Sequence, residues 1–498
     1  APHEAQARAL DSDEHRWFVP PGARWSALSQ TAGNLGALLE HACAELERCN
    51  QNLLGAVLTP LQFEGTGTTT EREQHDALLR KLVLHFEKYA LGDPTLAVGQ
   101  AGEFLIEHLA AWSEKKSGSF SSSAALMQLL AELLRPEPGM RVCDPACGAG
   151  GALLACAEAI RQRGHSPQAL SLYGQEYDAS TWALCKMNLL LHDLPDAHIA
   201  WGSTLSQPLL DEAGRLLQFD LVLAEPPFAL AEWEHEAAAR VSLGRFDAGL
   251  PPTRRGELAF VQHISATLHA RGRAAVVVPH GVLFRGANEK QIRASLLQKE
   301  TDLVEAVLAL PEGALIGHKA PSAILILNRN KPPARRERVL FIDAAHAAAS
   351  AHGFEWNDLT RLKLVALYQT FGQSEKLSHC VATLAQELRQ GRTYLPQDFS
   401  NAGHTASSAE SHAELARSLQ EWAASRHVVR ATATATLEEI ALEHDYNLSV
   451  GRYVSGASEL EVWEVAPALA ELEELDQKKT AAEEEMKRIL EQLGYYSR

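Results

Sequence analysis

The chain has no apolar run approaching the roughly eighteen residues that cross a bilayer. Its first thirty residues are charged, without the apolar core of a signal peptide. No membrane association is expected, and the cytoplasm is the default compartment. Cysteine is scarce and unpaired in pattern: seven residues scattered from Cys43 to Cys380 do not make a disulfide framework. Cys143 and Cys147 lie close together, but no second Cys or His pair stands at metal-ligand spacing, so buried thiols and no metal are expected. Positive charge is also short. Lys and Arg number 46 against 63 Asp and Glu, a net charge of −17, which excludes a chain that binds nucleic acid strongly by its own field. Any DNA contact must use a local basic patch or a partner's charge.

What is present is a long soluble sequence, 498 residues and 46% hydrophobic, enough for more than one domain. Residues 1–117 read as a helical amino-terminal domain, with helical periodicity over Leu35 to Leu58, His75 to Tyr89 and Ala101 to Trp112, and a linker at Lys115 to Gly118. Residues 118–400 change to short β-rich runs alternating with helical patterns, the mark of an α/β, doubly wound sheet. Seven strands are expected, at Arg141–Asp144, Ser171–Glu176, His198–Gly202, Phe219–Ala224, Ala274–Pro279, Leu303–Leu310 and Ser322–Leu327. Residues 311–321, with Pro311, Gly313 and Gly317, are too few for a parallel crossover, so the last strand should run antiparallel to its predecessor. A further strand is expected at Val339–Ile342, then helical pieces to about Arg389. Residues 401–498 read as a carboxyl-terminal linker and helical tail, with a loop over Asn401–Ser411, a linker at Ala431–Thr436, and a charged amphipathic helix from Pro467 to Leu493.

Asp144-Pro145-Ala146-Cys147-Gly148-Ala149-Gly150-Gly151 follows the first strand and opens a helix. Its glycines let backbone turn tightly and approach a ligand. Leu153 occupies the third position of a Gly-x-Gly-x-x-Gly pattern, which opposes a dinucleotide site. The loop instead points to S-adenosylmethionine, with Asp144, Pro145, Ala146, Gly148 and Gly150 as its binding residues. Glu176, ending the second strand, is placed to accept hydrogen bonds from ribose hydroxyls.

Phe219 to Phe228 reads Phe-Asp-Leu-Val-Leu-Ala-Glu-Pro-Pro-Phe, a buried strand ending in a carboxylate, two prolines and an aromatic ring. Around it stand Gln100 to Leu105, Gly174-Gln175-Glu176 with Met187-Asn188, Ala259 to His263, Val278 to Phe284, Tyr446-Asn447-Leu448 and Arg452-Tyr453-Val454. Together, and in this order, these stretches resemble the modification (M) subunit of type I restriction-modification systems, a family of adenine-N6 DNA methyltransferases. The resemblance covers nearly the whole chain. It implies a SAM-dependent methyltransferase sheet in which Glu225, Pro226, Pro227 and Phe228 form the catalytic stretch. In the family motif, Asn-Pro-Pro-Phe or Tyr, the Asn oxygen and the first proline's carbonyl accept the two N–H bonds of the target amine, and the aromatic ring stacks on a base taken out of the duplex.

Glu225 replaces that Asn; a carboxylate accepts at least as well but is longer by a methylene. Phe120, within Gly118-Ser119-Phe120-Ser121-Ser122-Ser123, stands where the family has Gly-Glu-Phe-Tyr-Thr-Pro, and Ser203 stands where it has an Asp that contacts the cofactor adenine. Both are carried over as cofactor residues by position. Glu257-Leu258 replaces the usual Asp-Leu. Two functions are consistent with these residues: an adenine-N6 methyltransferase subunit, or a catalytically impaired homologue serving as a scaffold or DNA clamp in a defence complex. A nicotinamide oxidoreductase is opposed by Leu153 and the paired prolines. The family's helical region usually begins further upstream, so part of it is expected to be absent or divergent here.

The interval between Gly151 and Glu225 is filled by the sheet's own elements, and no basic, aromatic-bearing DNA reader follows Arg338. Sequence reading is therefore expected to be delegated. The resemblance implies double-stranded DNA as substrate and, as partners, a second M subunit, a specificity (S) subunit and motor-nuclease restriction (R) subunits. The carboxyl-terminal helix is the segment expected to dock on the S subunit. Arg254 and Arg255, in a Pro-rich loop, are candidate phosphate contacts, or equally a solvated pair.

Overall fold

The computed structural model describes residues 18–30, 34–51, 54–55, 57–59, 61–65, 68–87, 102, 124–210, 213–228, 233–315, 320–347, 354, 356–390, 408–424 and 431–454. Backbone packing divides the chain into Ala1–Val454 and Ser455–Arg498, and the second unit lies outside the described residues. So do Phe120, the expected helix at Ala101–Trp112 apart from Gly102, the linker at Lys115–Gly118 and the helix from Pro467 to Leu493.

Valine, isoleucine and leucine runs build the sheet: β1 Arg141–Asp144, β2 Ser171–Glu176, β3 His198–Trp201, β4 Phe219–Ala224 and β5 Leu268–Pro279. It continues with β6 Val304–Leu310, β7 Ser322–Asn328, β8 Arg338–Asp343 and β9 Thr432–Thr436. The spatial order is β3-β2-β1-β4-β5-β7-β6-β8-β9. The strands β3, β2, β1, β4 and β5 are mutually parallel, whereas β7 inserts antiparallel between β5 and β6. That reversed strand follows from the short connection before it, which cannot carry a crossover helix.

Two expectations are corrected at the sheet's end. The sheet has nine strands rather than seven, because β8 joins β6 in parallel and β9 pairs antiparallel with β8, Phe341 opposite Ala433. The expected linker at Ala431–Thr436 is thus occupied by strand β9, Thr432–Thr436: Ala435 is buried while Thr434 and Thr436 are exposed, the period-2 pattern of an edge strand.

Alternate strand residues feed two cores. One face, with Leu221, Leu223, Val277, Leu308 and Ile324, is covered by helices α1 Ala124–Leu134, α2 Gly151–Gln162 and, later in the chain, Asp358–Gln369 and Ser374–Arg389. The other, with Phe219, Val222, Val276, Val307 and Phe341, is covered by α4 Glu257–Thr267, α5 Ala287–Leu296 and residues 437–454. Between them in sequence lies α3 Ala179–Leu191, capped by Asp178, whose carboxylate accepts from the Thr181 amide at 2.8 Å. Among the described residues no helix is long and apolar enough to cross a membrane. The consequence for function is positional: β1, β2, β3 and β4 all end at one edge, where their following loops meet.

Candidate active site

Register sets the site. Asp144 of β1 pairs with Gly174 of β2, and Glu176 of β2 with Trp201 of β3, while Ala224, the residue before Glu225, pairs with Val276 of β5. Asp144, Glu176 and Glu225 therefore end neighbouring parallel strands on one edge. Asp144 is only 4% exposed, and its Oδ1 accepts from the Ala146 amide at 2.9 Å. Burial, with the negative charges of Glu176 and Glu225 added, outweighs that hydrogen bond and pushes the Asp144 pKa up to about 7.

Glu176 braces the glycine loop. Its Oε2 accepts from the Gly148 amide at 3.0 Å and its Oε1 from the Asp178 amide at 2.9 Å. Further ties come from Gln175, whose carbonyl accepts from the Cys147 amide (3.0 Å), and from Asn188 of α3, whose Nδ2 donates to the Ala149 carbonyl (2.9 Å). Two glycines are required here for different reasons. Gly148 has φ +52° and a side chain there would meet nothing within 4 Å, so the turn is open on that side. Gly150 has φ +90° and a β-carbon would sit 3.0 Å from Cys185 Sγ. Pro145 is buried and Ala146 half-buried on the same loop.

In the stretch after β4, Glu225 is half-buried, Pro226 buried, Pro227 exposed and Phe228 half-buried, its ring packed against the core on the α1 and α2 side. Ser203 lies on the loop after β3, but its hydroxyl accepts from the Ser206 amide at 3.4 Å and caps its own turn. Arg254 is exposed; Arg255 is half-committed, its guanidinium 3.7 Å from the buried carboxylate of Glu289. Arg285, on the loop after β5, faces both Glu289 of α5 (3.4 Å) and Glu257 of α4 (3.9 Å), so these three segments share a charge cluster.

The family model for N-6 DNA methylase matches residues 95–392, more than half of the sequence. The chain belongs to the N-6 DNA methylase family. A Haemophilus influenzae protein named type I restriction enzyme HindI methylase subunit is 27% identical over 405 residues, covering 74% of this chain and 87% of its own. A Methanocaldococcus jannaschii type I methylase subunit, MjaVIII, is 30% identical over 316 residues, covering 61% of this chain and 53% of its own, about half of that relative. Among solved structures, a Streptococcus thermophilus type I methyltransferase subunit superposes with a TM-score of 0.66 at 23% identity, covering 90% of this chain and 83% of that one, which supports the fold.

Methylases of this family take their methyl group from S-adenosylmethionine. The residues present fit that donor: an open glycine cradle at the start of α2 and three carboxylates beside it suit a ligand bearing positive charge and hydroxyls. Sequence reasoning missed two aromatic side chains at this rim. Tyr177 follows Glu176 directly and is 70% exposed; Trp201 ends β3, is 63% exposed, and donates its Nε1 hydrogen to the Tyr177 carbonyl at 3.1 Å. Large exposed rings beside a ligand cradle are the signal, and only the strand ends reveal it.

Proposed function

We propose that this protein is the methyl-transferring subunit of a type I restriction-modification assembly and methylates adenine N6 in double-stranded DNA in the cytoplasm. The observation that carries this is the shared edge: the glycine cradle, Asp144 and Glu176 stand beside Glu225-Pro226-Pro227-Phe228 on adjacent strands. Asp144, Pro145, Ala146, Gly148 and Gly150 would hold the donor's amino-acid moiety, and Glu176 its ribose. When bound, the donor supplies an electrophilic methyl group. Adenine's exocyclic amine is a weak nucleophile because its lone pair is delocalised into the ring. Glu225 and the Pro226 carbonyl accept its two N–H bonds, drawing that lone pair back to nitrogen, while Phe228 stacks on the extruded base. Pro227 keeps the turn extended, since its ring fixes φ.

Base-sequence recognition comes from an S subunit, consistent with the net charge of −17; a second M subunit and R subunits complete the assembly. Arg254, exposed on the loop before α4, would contact a phosphate. The decisive experiment co-expresses the chain with its specificity subunit and measures transfer of labelled methyl from S-adenosylmethionine to unmodified DNA. Transfer is expected, and Glu225→Asn should retain it, whereas Glu225→Ala should lose at least about a hundredfold in rate. No transfer by the wild-type complex, with recovery in Glu225→Asn, would mark the natural sequence as an impaired homologue.

A further inference from the structure

The segment after Glu225-Pro226-Pro227-Phe228 contains an arginine that is used in an unusual way. Arg245 is 3% exposed, and among the described residues no carboxylate pairs with it. Its donors are spent on backbone carbonyls instead. One terminal nitrogen donates to Thr204 O at 3.1 Å and the other to Leu205 O at 2.7 Å, both on the loop after β3 that carries Ser203. Further bonds reach Val241 O (2.6 Å) and Ser242 O (3.2 Å) in its own segment. The remaining partner is His263 Nδ1 of α4 at 3.2 Å, which accepts from the guanidinium.

Thr204 extends the connection. Its hydroxyl donates to the Pro145 carbonyl at 2.5 Å, inside the Asp144–Gly151 loop. A small apolar cluster ties the same three segments: Leu205 from the loop after β3, Trp233, Ala238 and Phe246 from the segment after β4, and Ala259 and Phe260 from α4, with Ala146 packed against them. Ser206 Oγ adds a bond to Glu234 at 2.6 Å. A buried cation with no counter-ion is costly, and apolar residues of similar volume would ordinarily serve packing better. What the guanidinium supplies is a planar fork that fixes several carbonyls at once.

We infer that Arg245 is a positioning residue that locks the segment following the catalytic stretch to the loop after β3 and, through Thr204, to the glycine cradle. Its task is to hold the target amine and the donor in register; it touches neither. This rests on the proposed methyltransferase function.

The test uses the full chain assembled with its specificity subunit. Arg245→Met keeps the apolar stem and removes the fork; Thr204→Val removes only the hydroxyl bond to Pro145. Each should lower kcat on the order of ten- to a hundredfold, while S-adenosylmethionine affinity measured by calorimetry on the unmixed chain moves less than about threefold. Arg245→Lys should recover part of the loss. The double variant should be no slower than the slower single, because both act along one path. An independent readout is amide hydrogen exchange: Arg245→Met should speed exchange at residues 146–150 and 203–207 and leave β5 and β7 unchanged. Unchanged exchange at both loops, or kcat and donor affinity falling in parallel with no recovery by lysine, would overturn the inference. If the wild-type complex transfers no methyl, the functional proposal fails, and the exchange result still decides whether Arg245 couples the loops.

Discussion

Two buried side chains at the site make opposite demands on pH. Asp144 is protonated in folded and unfolded chains alike below about pH 4. As pH rises, the unfolded carboxyl ionises first, so folded stability falls until the folded group also ionises near 7, a total loss of about 4 kcal/mol for a displacement of that size. Asp144→Asn keeps an oxygen to accept from Ala146, so thermal melts at about pH 8 should show the variant more stable than wild type, with the gain vanishing toward about pH 4. The same variant should bind S-adenosylmethionine more weakly; equal melting at the higher pH would show that Asp144 carries no burial penalty. His263 behaves in reverse. Burial first, and the Arg245 guanidinium second, push its pKa down to about 3. Between about 6.5 and that value the unfolded chain takes up a proton that the folded chain refuses, so stability is lost as pH falls through the window. His263→Asn, which can still offer an acceptor to Arg245, should flatten this acid limb in urea titrations run at descending pH. A limb of unchanged slope would assign the acid sensitivity elsewhere.

At the scale of elements, the turn between β1 and α2, proposed to hold the donor, should separate binding from folding, because its two left-handed glycines face different surroundings. Gly148→Ala meets only the strain of a left-handed backbone, about 1 to 2 kcal/mol, since open space lies beyond it. Its methyl group would intrude on the cradle, so donor affinity should drop by more than melting temperature suggests. Gly150→Ala carries the same backbone strain, φ being +90°, and adds a tight 3.0 Å contact with Cys185 Sγ, so it should cost stability first. Calorimetry and melts on the two variants check this, and identical profiles would mean that the cradle is not where the ligand sits. Most of this architecture was legible beforehand. Strands β1, β2 and β4 match the expected ranges because each is a short β-rich run bounded by turn residues, and the reversal of β7 follows from the length of chain before it. β9 was not, since alternating Ala and Thr lacks bulk and only pairing with β8 reveals which face is buried. The Arg245 network was also hidden, because the partners that join it to other segments are two carbonyls and a histidine 18 to 41 residues away, and carbonyls leave no mark in a sequence.

For the molecule as a whole, residues 431–454 and the residues after Val454 answer different needs. Residues 431–454 belong to the fold: β9 extends the sheet, Tyr453 stacks on Phe341 with ring centroids 3.8 Å apart, the Leu448 amide donates to Leu283 O at 2.9 Å, and Arg293 donates to Tyr446 O at 3.0 Å. Removing them would uncover Val339, Phe341 and Leu283 together, and the truncated chain should aggregate. Residues beyond Val454 carry the apolar stripe Leu469, Leu472, Leu475, Ala482, Met486, Ile489 and Leu493 in a charged sequence, a pattern suited to packing against helices. With a net charge of −17 the chain's own average field does not attract DNA, and we propose that this segment docks a partner whose charge does. Deletion after Val454 should therefore leave the melting transition and S-adenosylmethionine binding intact while abolishing co-purification with the specificity subunit and, with it, DNA methylation. A truncated chain that still brings the specificity subunit through affinity purification would place the docking surface on residues 1–454 instead.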